Sequence, residues 1–295
     1  MDSSTFLTFS KFFSVSLMVC SVLGYFGNTI IIITTIRSKN LRAPCNIFIA
    51  VQAFADILHQ LSHPLFLYFS LTETLIAQRS CYFLNIIFFS GMELTTLMMV
   101  VIALDRFTSA KFPTIYQKFN KHLYIGIVLA ICFSLCLVSK GLMYIYTTND
   151  LTLCIIIESL SGSFALIWLF TTSFCNILVI VIYCLLICVL QKTNDYHLVN
   201  KSLNTLLITH IFGWLTSMVG NFIVSMINPG PQILAVAKIA FGMPVNINMF
   251  LPFVIYYCQS ALYRNEFRKT LKMYKNPRVG SSHTAGGLRT SGHLK

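Results

Sequence analysis

Charge is scarce in this chain. Of its 295 residues nine are Asp or Glu, and all four charged types together make up 10%. Soluble domains carry about a quarter, so a water-facing globular surface is excluded and an integral membrane protein is indicated. Paired carboxylates, a nucleophile triad, a phosphate-cradling loop and a complete metal-ligand set are also missing, so no catalytic residues stand out and nothing points to an enzyme. The alternating pattern of barrel strands is absent, which leaves helices to cross the bilayer. No internal repeat is visible, and the short segment before the first apolar run has no Asn-x-Ser/Thr site; Asn200-Lys201-Ser202 is the one such sequence in the chain.

Hydrophobic residues make up 56% of the chain. They gather in seven runs near 12–36, 45–70, 82–106, 123–146, 162–190, 203–227 and 233–257. Each is about the ~20 residues that a spanning helix needs, so the fold class is an all-α, seven-transmembrane helix bundle. Basic residues are sorted between its two sides. Arg37, Lys39 and Arg42 follow run 1; Arg106, Lys111, Lys118 and Lys121 follow run 3; Lys192 and Lys201 follow run 5; eight more, Arg264 to Lys295, follow run 7. Lys and Arg resist translocation, so these loops are cytoplasmic, the N-terminus is outside and the C-terminus inside. The net charge of +12 is mostly this asymmetry, with attraction to the inner lipid leaflet, and gives no case for nucleic acid. Run 1 is too long for a signal-peptide core and its basic flank lies on the wrong side, so it is kept as a span. The chain reads as one domain, 1–275, with a disordered cytoplasmic tail, 276–295.

Most of the ten cysteines lie inside runs, where a thiol behaves as a small apolar residue. Cys81, at the outer start of run 3, and Cys154, between runs 4 and 5, face the oxidising side and suit a disulfide over the bundle, against the alternative of two unpaired thiols. The run that begins at Cys81 closes on Asp105-Arg106-Phe107. A charged pair there belongs at the cytoplasmic boundary or in a functional cavity.

Gly27-Asn28, Asp56, Cys81, Asp105-Arg106-Phe107, Pro113, Cys154 and Tyr183 fall at spacings that resemble the rhodopsin-like G-protein-coupled receptors. More narrowly, Leu41 to His59 (LRAPCNIFIAVQAFADILH), with Asp105-Arg106-Phe107 and Tyr256-Tyr257 through Tyr263-Arg264, resembles the nematode srsx chemoreceptor family. The resemblance implies a small-molecule ligand, a heterotrimeric G protein as partner and a plasma-membrane location, with the sensory cilium as the family's site. It also implies a switch in which Asp105 holds Arg106 and Arg106 turns to Tyr183 and Tyr256 on activation. Asp56, in mid-span, needs company, for which Asn28, Thr95 and Asn248 are the candidates; the family position is a sodium-linked or proton-linked site, and the alternative is an uncharged polar network between helices.

The chain departs from the family pattern in several places. Span 7 reads Leu251-Pro252 through Tyr256 where Asn-Pro-x-x-Tyr is usual, no proline follows Trp214, Cys175 stands where span 5 usually has proline, and span 4 lacks its Trp. Spacing from Tyr256 to Tyr263 and Phe267 still suits a short amphipathic helix on the membrane surface.

A ligand pocket is expected between the outer halves of spans 3, 5, 6 and 7, lined by Phe88, Phe89, Met92, Glu93, Trp168, Trp214, Met218, Asn221 and Phe222. Phe88 stands where amine receptors need a carboxylate, so a cationic amine is disfavoured and a small neutral or weakly polar molecule fits. Aromatic residues in a bundle also serve plain packing, and Glu93 serves equally as a ligand contact or a helix-helix hydrogen-bonding group. His59 and His63 have zinc-ligand spacing without a third ligand, so no metal is assigned. Lys140 is expected to snorkel outward, and Lys238 to face an acidic ligand, Glu158 or Glu73. Ser281, Ser282, Thr284, Thr290 and Ser291 could take phosphate from a receptor kinase and attract arrestin, or sit in an inert tail. A transporter or channel is the competing class, which inverted repeats or a string of buried charges would favour.

Overall fold

The computed structural model of the protein describes residues 3–160, 162–192, 205, 208–227 and 230–272. Lys201, the start of the sixth run and the tail 276–295 with its five Ser and Thr candidates therefore lie outside the described residues. The helices are α1 (Ser3–Arg37), α2 (Pro44–Gln60), α3 (Ser62–Thr72), α4 (Gln78–Lys111), α5 (Pro113–Lys118), α6 (Lys121–Ile145), α7 (Gly162–Lys192), α8 (Ile208–Ile227), α9 (Pro231–Gln259) and α10 (Ala261–Thr270). Six helices among the described residues, α1, α4, α6, α7, α8 and α9, are long and apolar enough to cross a membrane.

The second apolar run, expected as one span, is broken between α2 and α3 at Leu61. Pro64 supplies the reason. Its nitrogen carries no hydrogen, so the carbonyl four residues earlier, at Gln60, loses its helical donor. The Tyr25 hydroxyl of α1 donates to that Gln60 oxygen at 2.9 Å instead. Elsewhere the ends follow ordinary capping. Asn120 accepts from the His122 and Leu123 amides to start α6, and Ser260 accepts from Tyr263 to start α10.

Between α2 and α4 the backbones come unusually close. A Cβ on Gly91 would lie 2.7 Å from both the Ala55 carbonyl oxygen and the His59 nitrogen, so only glycine fits this crossing. In α8 the turn Ile211–Leu215 is π-helical. This shifts the local carbonyls off their usual partners, and the Asn248 amide of α9 donates to the Thr209 oxygen at 2.6 Å, passing over Gly213.

At one end of the bundle two short strands pair antiparallel, β1 (Leu75–Ala77) with β2 (Leu151–Leu153), in the register Leu75 to Leu153. Beside them Cys81 is bonded to Cys154. Gln78 clasps the same loop, its Nε2 donating to the Ser159 oxygen at 2.7 Å and its Oε1 accepting from the Thr148 amide at 2.7 Å. This is called the disulfide end; Arg106 lies toward the other. A core of Ile31, Phe48, Leu94, Met98, Tyr256 and Phe267 packs α1, α2, α4, α9 and α10 together there.

Candidate functional site

Near the Arg106 end, Asp105 is buried and accepts a hydrogen bond from the Tyr116 hydroxyl at 2.9 Å, with Tyr124 beside the same carboxylate. Burial, and then this bond, push the Tyr116 phenol above its ordinary range. Arg106 forms no ion pair with Asp105 among the described residues. The Cys45 thiol of α2 and the Tyr256 and Tyr263 phenols lie within electrostatic reach of its guanidinium, as Asp105 does. Tyr256 and Tyr263 stack with centroids 4.5 Å apart, and Tyr263 donates to Asn46 Oδ1 at 3.2 Å. The expectation that Asp105 holds Arg106 therefore needs correction. The bond to the carboxylate comes from Tyr116, a donor that the linear motif does not contain.

Above this lies a small cavity of about 60 Å³, bordered by Asn28, Asp56, Thr95, Tyr183, His210, Trp214, Asn248 and Tyr256. Thr95 donates to Asp56 Oδ1 at 2.7 Å. Asn28 and Asn248 border the cavity without bonding Asp56: their amides go to the Met249 oxygen at 3.1 Å and to the Thr209 oxygen. Among the three expected partners, then, only Thr95 binds the carboxylate directly.

Toward the disulfide end a larger cavity of about 290 Å³ opens between α2, α3, α4, α7, α8, α9 and the loop that follows Cys154. Its wall is mostly apolar, with His59, Ser62, His63, Ser217, Asn221, Ser225, Asn246 and Lys238 as polar members. Trp214 borders both cavities. Lys238 pairs with Glu158 at 3.6 Å, tying α9 to the disulfide-held loop.

The family model described as "Serpentine type 7TM GPCR chemoreceptor Srsx" matches residues 21–271. The chain belongs to the Srsx chemoreceptor family. It is accordingly a multi-pass membrane protein of a receptor class. Comparison with curated proteins finds no match.

Within this Srsx chemoreceptor the residues expected in the pocket separate into two groups. Met92, Trp168, Trp214, Met218 and Asn221 border the larger cavity, whereas Phe88, Phe89, Glu93 and Phe222 do not. Phe89 is fully buried against Trp168, with ring centroids 5.5 Å apart. Phe222 is on the outer, exposed face of α8. Glu93 turns toward α6, where it receives hydrogen bonds from Ser139 and from Lys140, the latter at 2.6 Å. Lys140 does not snorkel: it is 6% exposed, with its ammonium 4.0 Å from the Phe89 ring centre. The pairing leaves neither buried charge without a partner.

Sequence reasoning missed His63, Asn246, Tyr116 and Cys45 as members of these sites. The His59/His63 spacing is the one visible signal, and it reads only as zinc-ligand spacing, with no metal assigned. In the fold His63 bonds Asn246 instead, and no three His, Cys, Asp or Glu side chains converge among the described residues.

Proposed function

We propose that this Srsx protein is a seven-span receptor that binds a small molecule in the larger cavity and activates a heterotrimeric G protein at the Arg106 end. The spans are α1, α2 continued by α3, α4, α6, α7, α8 and α9, with the N-terminus outside and the C-terminus inside. Clustering of Arg37, Lys39, Arg42, Lys111, Lys118 and Lys121 near one end supports that orientation, as does the disulfide at the other. The plasma membrane is the location that fits an outer ligand cavity, in a sensory cilium by family resemblance.

One observation carries the reading: Trp214 is a wall of both cavities, and the smaller cavity runs on to Tyr183 and Tyr256, which neighbours Arg106. A ligand that displaces Trp214 repacks the smaller cavity, and Tyr256 moves with it. Arg106 is then freed from Cys45, Tyr256 and Tyr263, and the end of the bundle opens for the Gα C-terminal segment. Ligand favours the open state only as far as it binds that state more tightly. A sodium ion at Asp56 belongs to this reading. Asp56 and Thr95 are oxygen donors on a cavity wall with room for water, the chemistry a hard cation takes; the ion would neutralise the Asp56 charge.

The test is ligand-evoked nucleotide exchange on a Gα mixture, using pooled small metabolites with surface-expressed wild type, Arg106→Ala and Trp214→Ala. Exchange in wild type that both variants lose supports the reading. Exchange that survives Arg106→Ala, or solute flux without exchange, overturns it.

A further inference from the structure

The polar groups around the larger cavity are of two kinds. His63 is fully committed. The Asn246 amide donates to the Gly242 oxygen at 3.0 Å, which turns its Oδ1 to the His63 ring. His63 Nε2–H must therefore donate to Asn246, and His63 Nδ1 accepts from the Ser62 hydroxyl at 3.3 Å. The network fixes the tautomer and joins α3 to α9.

His59 has no such network. Its residue is 3% exposed, its Nδ1 is buried without a hydrogen-bond partner, and its ring meets that of His63 edge-on at 5.7 Å. Gly91 holds this part of α2 close against α4, so His59 has little freedom to seek a partner elsewhere. On α8 the Asn221 amide nitrogen donates to the Ser217 oxygen at 2.9 Å, and its Oδ1 is buried with nothing to accept from. Buried polar atoms are normally paired, and an unpaired one on a cavity wall is open to a partner from the cavity, water or ligand.

Charge in the wall narrows that partner. Among the described residues bordering the cavity there is no Asp or Glu, so a cation would be desolvated without compensation. Lys238 is the cationic member, and Glu158 already occupies it. We infer that the ligand is a neutral, largely apolar molecule with two hydrogen-bonding groups, one a hydroxyl or N–H that donates to Asn221 Oδ1 and the other paired with the His59 imidazole. This rests on the reading of the larger cavity as the ligand site.

Four probes on one skeleton test it: octanediol, octanol, octylammonium and octanoate, each added to the full-length protein in detergent while thermal unfolding is followed. Octanediol protects best, octanol next, and the two ions least. His59→Leu and Asn221→Leu each weaken octanediol about tenfold, the loss of roughly one hydrogen bond. His59→Leu without ligand unfolds no earlier than wild type, because the variant removes a polar atom that had no partner. An ion that protects better than the alcohols, an unchanged octanediol affinity in either variant, or no protection by any alcohol overturns the inference. Ala165→Trp, which fills the cavity, separates the two readings. If the probe order is wrong but Ala165→Trp abolishes protection, the cavity stands as the ligand site and only its inferred chemistry falls; protection that persists in Ala165→Trp removes both.

Discussion

Tyr116, in the short helix between α4 and α6, donates its hydroxyl to the carboxylate of Asp105 at 2.9 Å, and so takes the place that the neighbouring arginine was expected to fill. The loop is thereby tied to the acid, while Arg106 makes no ion pair with it among the described residues. Tyr116→Phe should lower unfolding stability by about 1.5–3 kcal/mol, the range for a hydrogen bond to a charged group. In an Asp105→Asn background the same change should cost less, and a double-mutant cycle on thermal unfolding measures the difference. Equal costs in the two backgrounds would show that the bond contributes nothing.

The Glu93–Lys140 pair is held at 2.6 Å, with both side chains almost wholly buried. Glu93→Gln or Lys140→Met alone strands one charge inside the bundle and should cost about 3–5 kcal/mol. Replacing both with Met removes the stranded charge and should recover most of that loss, as read by unfolding in detergent. A double variant as unstable as the sum of the single ones would refute the pairing.

Gly213 allows the Asn248 amide to reach the π-helical turn of α8. A Cβ there would lie 2.5 Å from Asn248 Cγ and 3.0 Å from the Pro244 oxygen. Gly213→Ala should therefore destabilise by about 1–3 kcal/mol through overpacking. Trimming the obstacle with Asn248→Ala should shrink the increment, although the Pro244 contact remains. Melting temperatures of the four proteins in that cycle decide the point.

Glu266 anchors α10 to the loop after α1. It receives a hydrogen bond from Lys269 at 2.8 Å and another from the Asn40 amide at 3.1 Å. The Lys269 bond first, with those from the loop, holds its carboxyl below the ordinary range. An acid depressed in the folded state contributes stability above its unfolded pKa and loses it as pH falls through the folded one. Docking of α10 should thus be complete at neutral pH and weaken in acid, below about 4.3. Glu266→Gln should flatten this part of the stability profile, measured by unfolding at a series of pH values; an unchanged slope would rule the residue out.

Much of the architecture was legible in the sequence because hydrophobic length is a local property. Runs 82–106, 123–146, 162–190 and 233–257 each lie within or nearly match a helix, since ~20 apolar residues have no other stable form in lipid. Cys81 and Cys154 could be matched because so few cysteines fall outside the runs. Thr95 could be matched to Asp56, as could Lys238 to Glu158, from their charge or polarity and their depth.

Rotation of each helix about its axis is another matter. Phe222 follows Asn221 by one residue, about 100° around the helix, and that step carries it from the cavity to the outer face. The inward turn of Lys140, the capture of Asp105 by Tyr116 and the break at Leu61 bridged by Tyr25 all depend on which faces meet. The sequence by itself determined that this protein lies in a membrane, where most of its spanning helices run and where its rare charges fall. Only the tertiary structure decided which buried polar groups pair and which, like His59 and Asn221, are left facing a cavity, because pairing is settled by contacts between helices far apart in the chain.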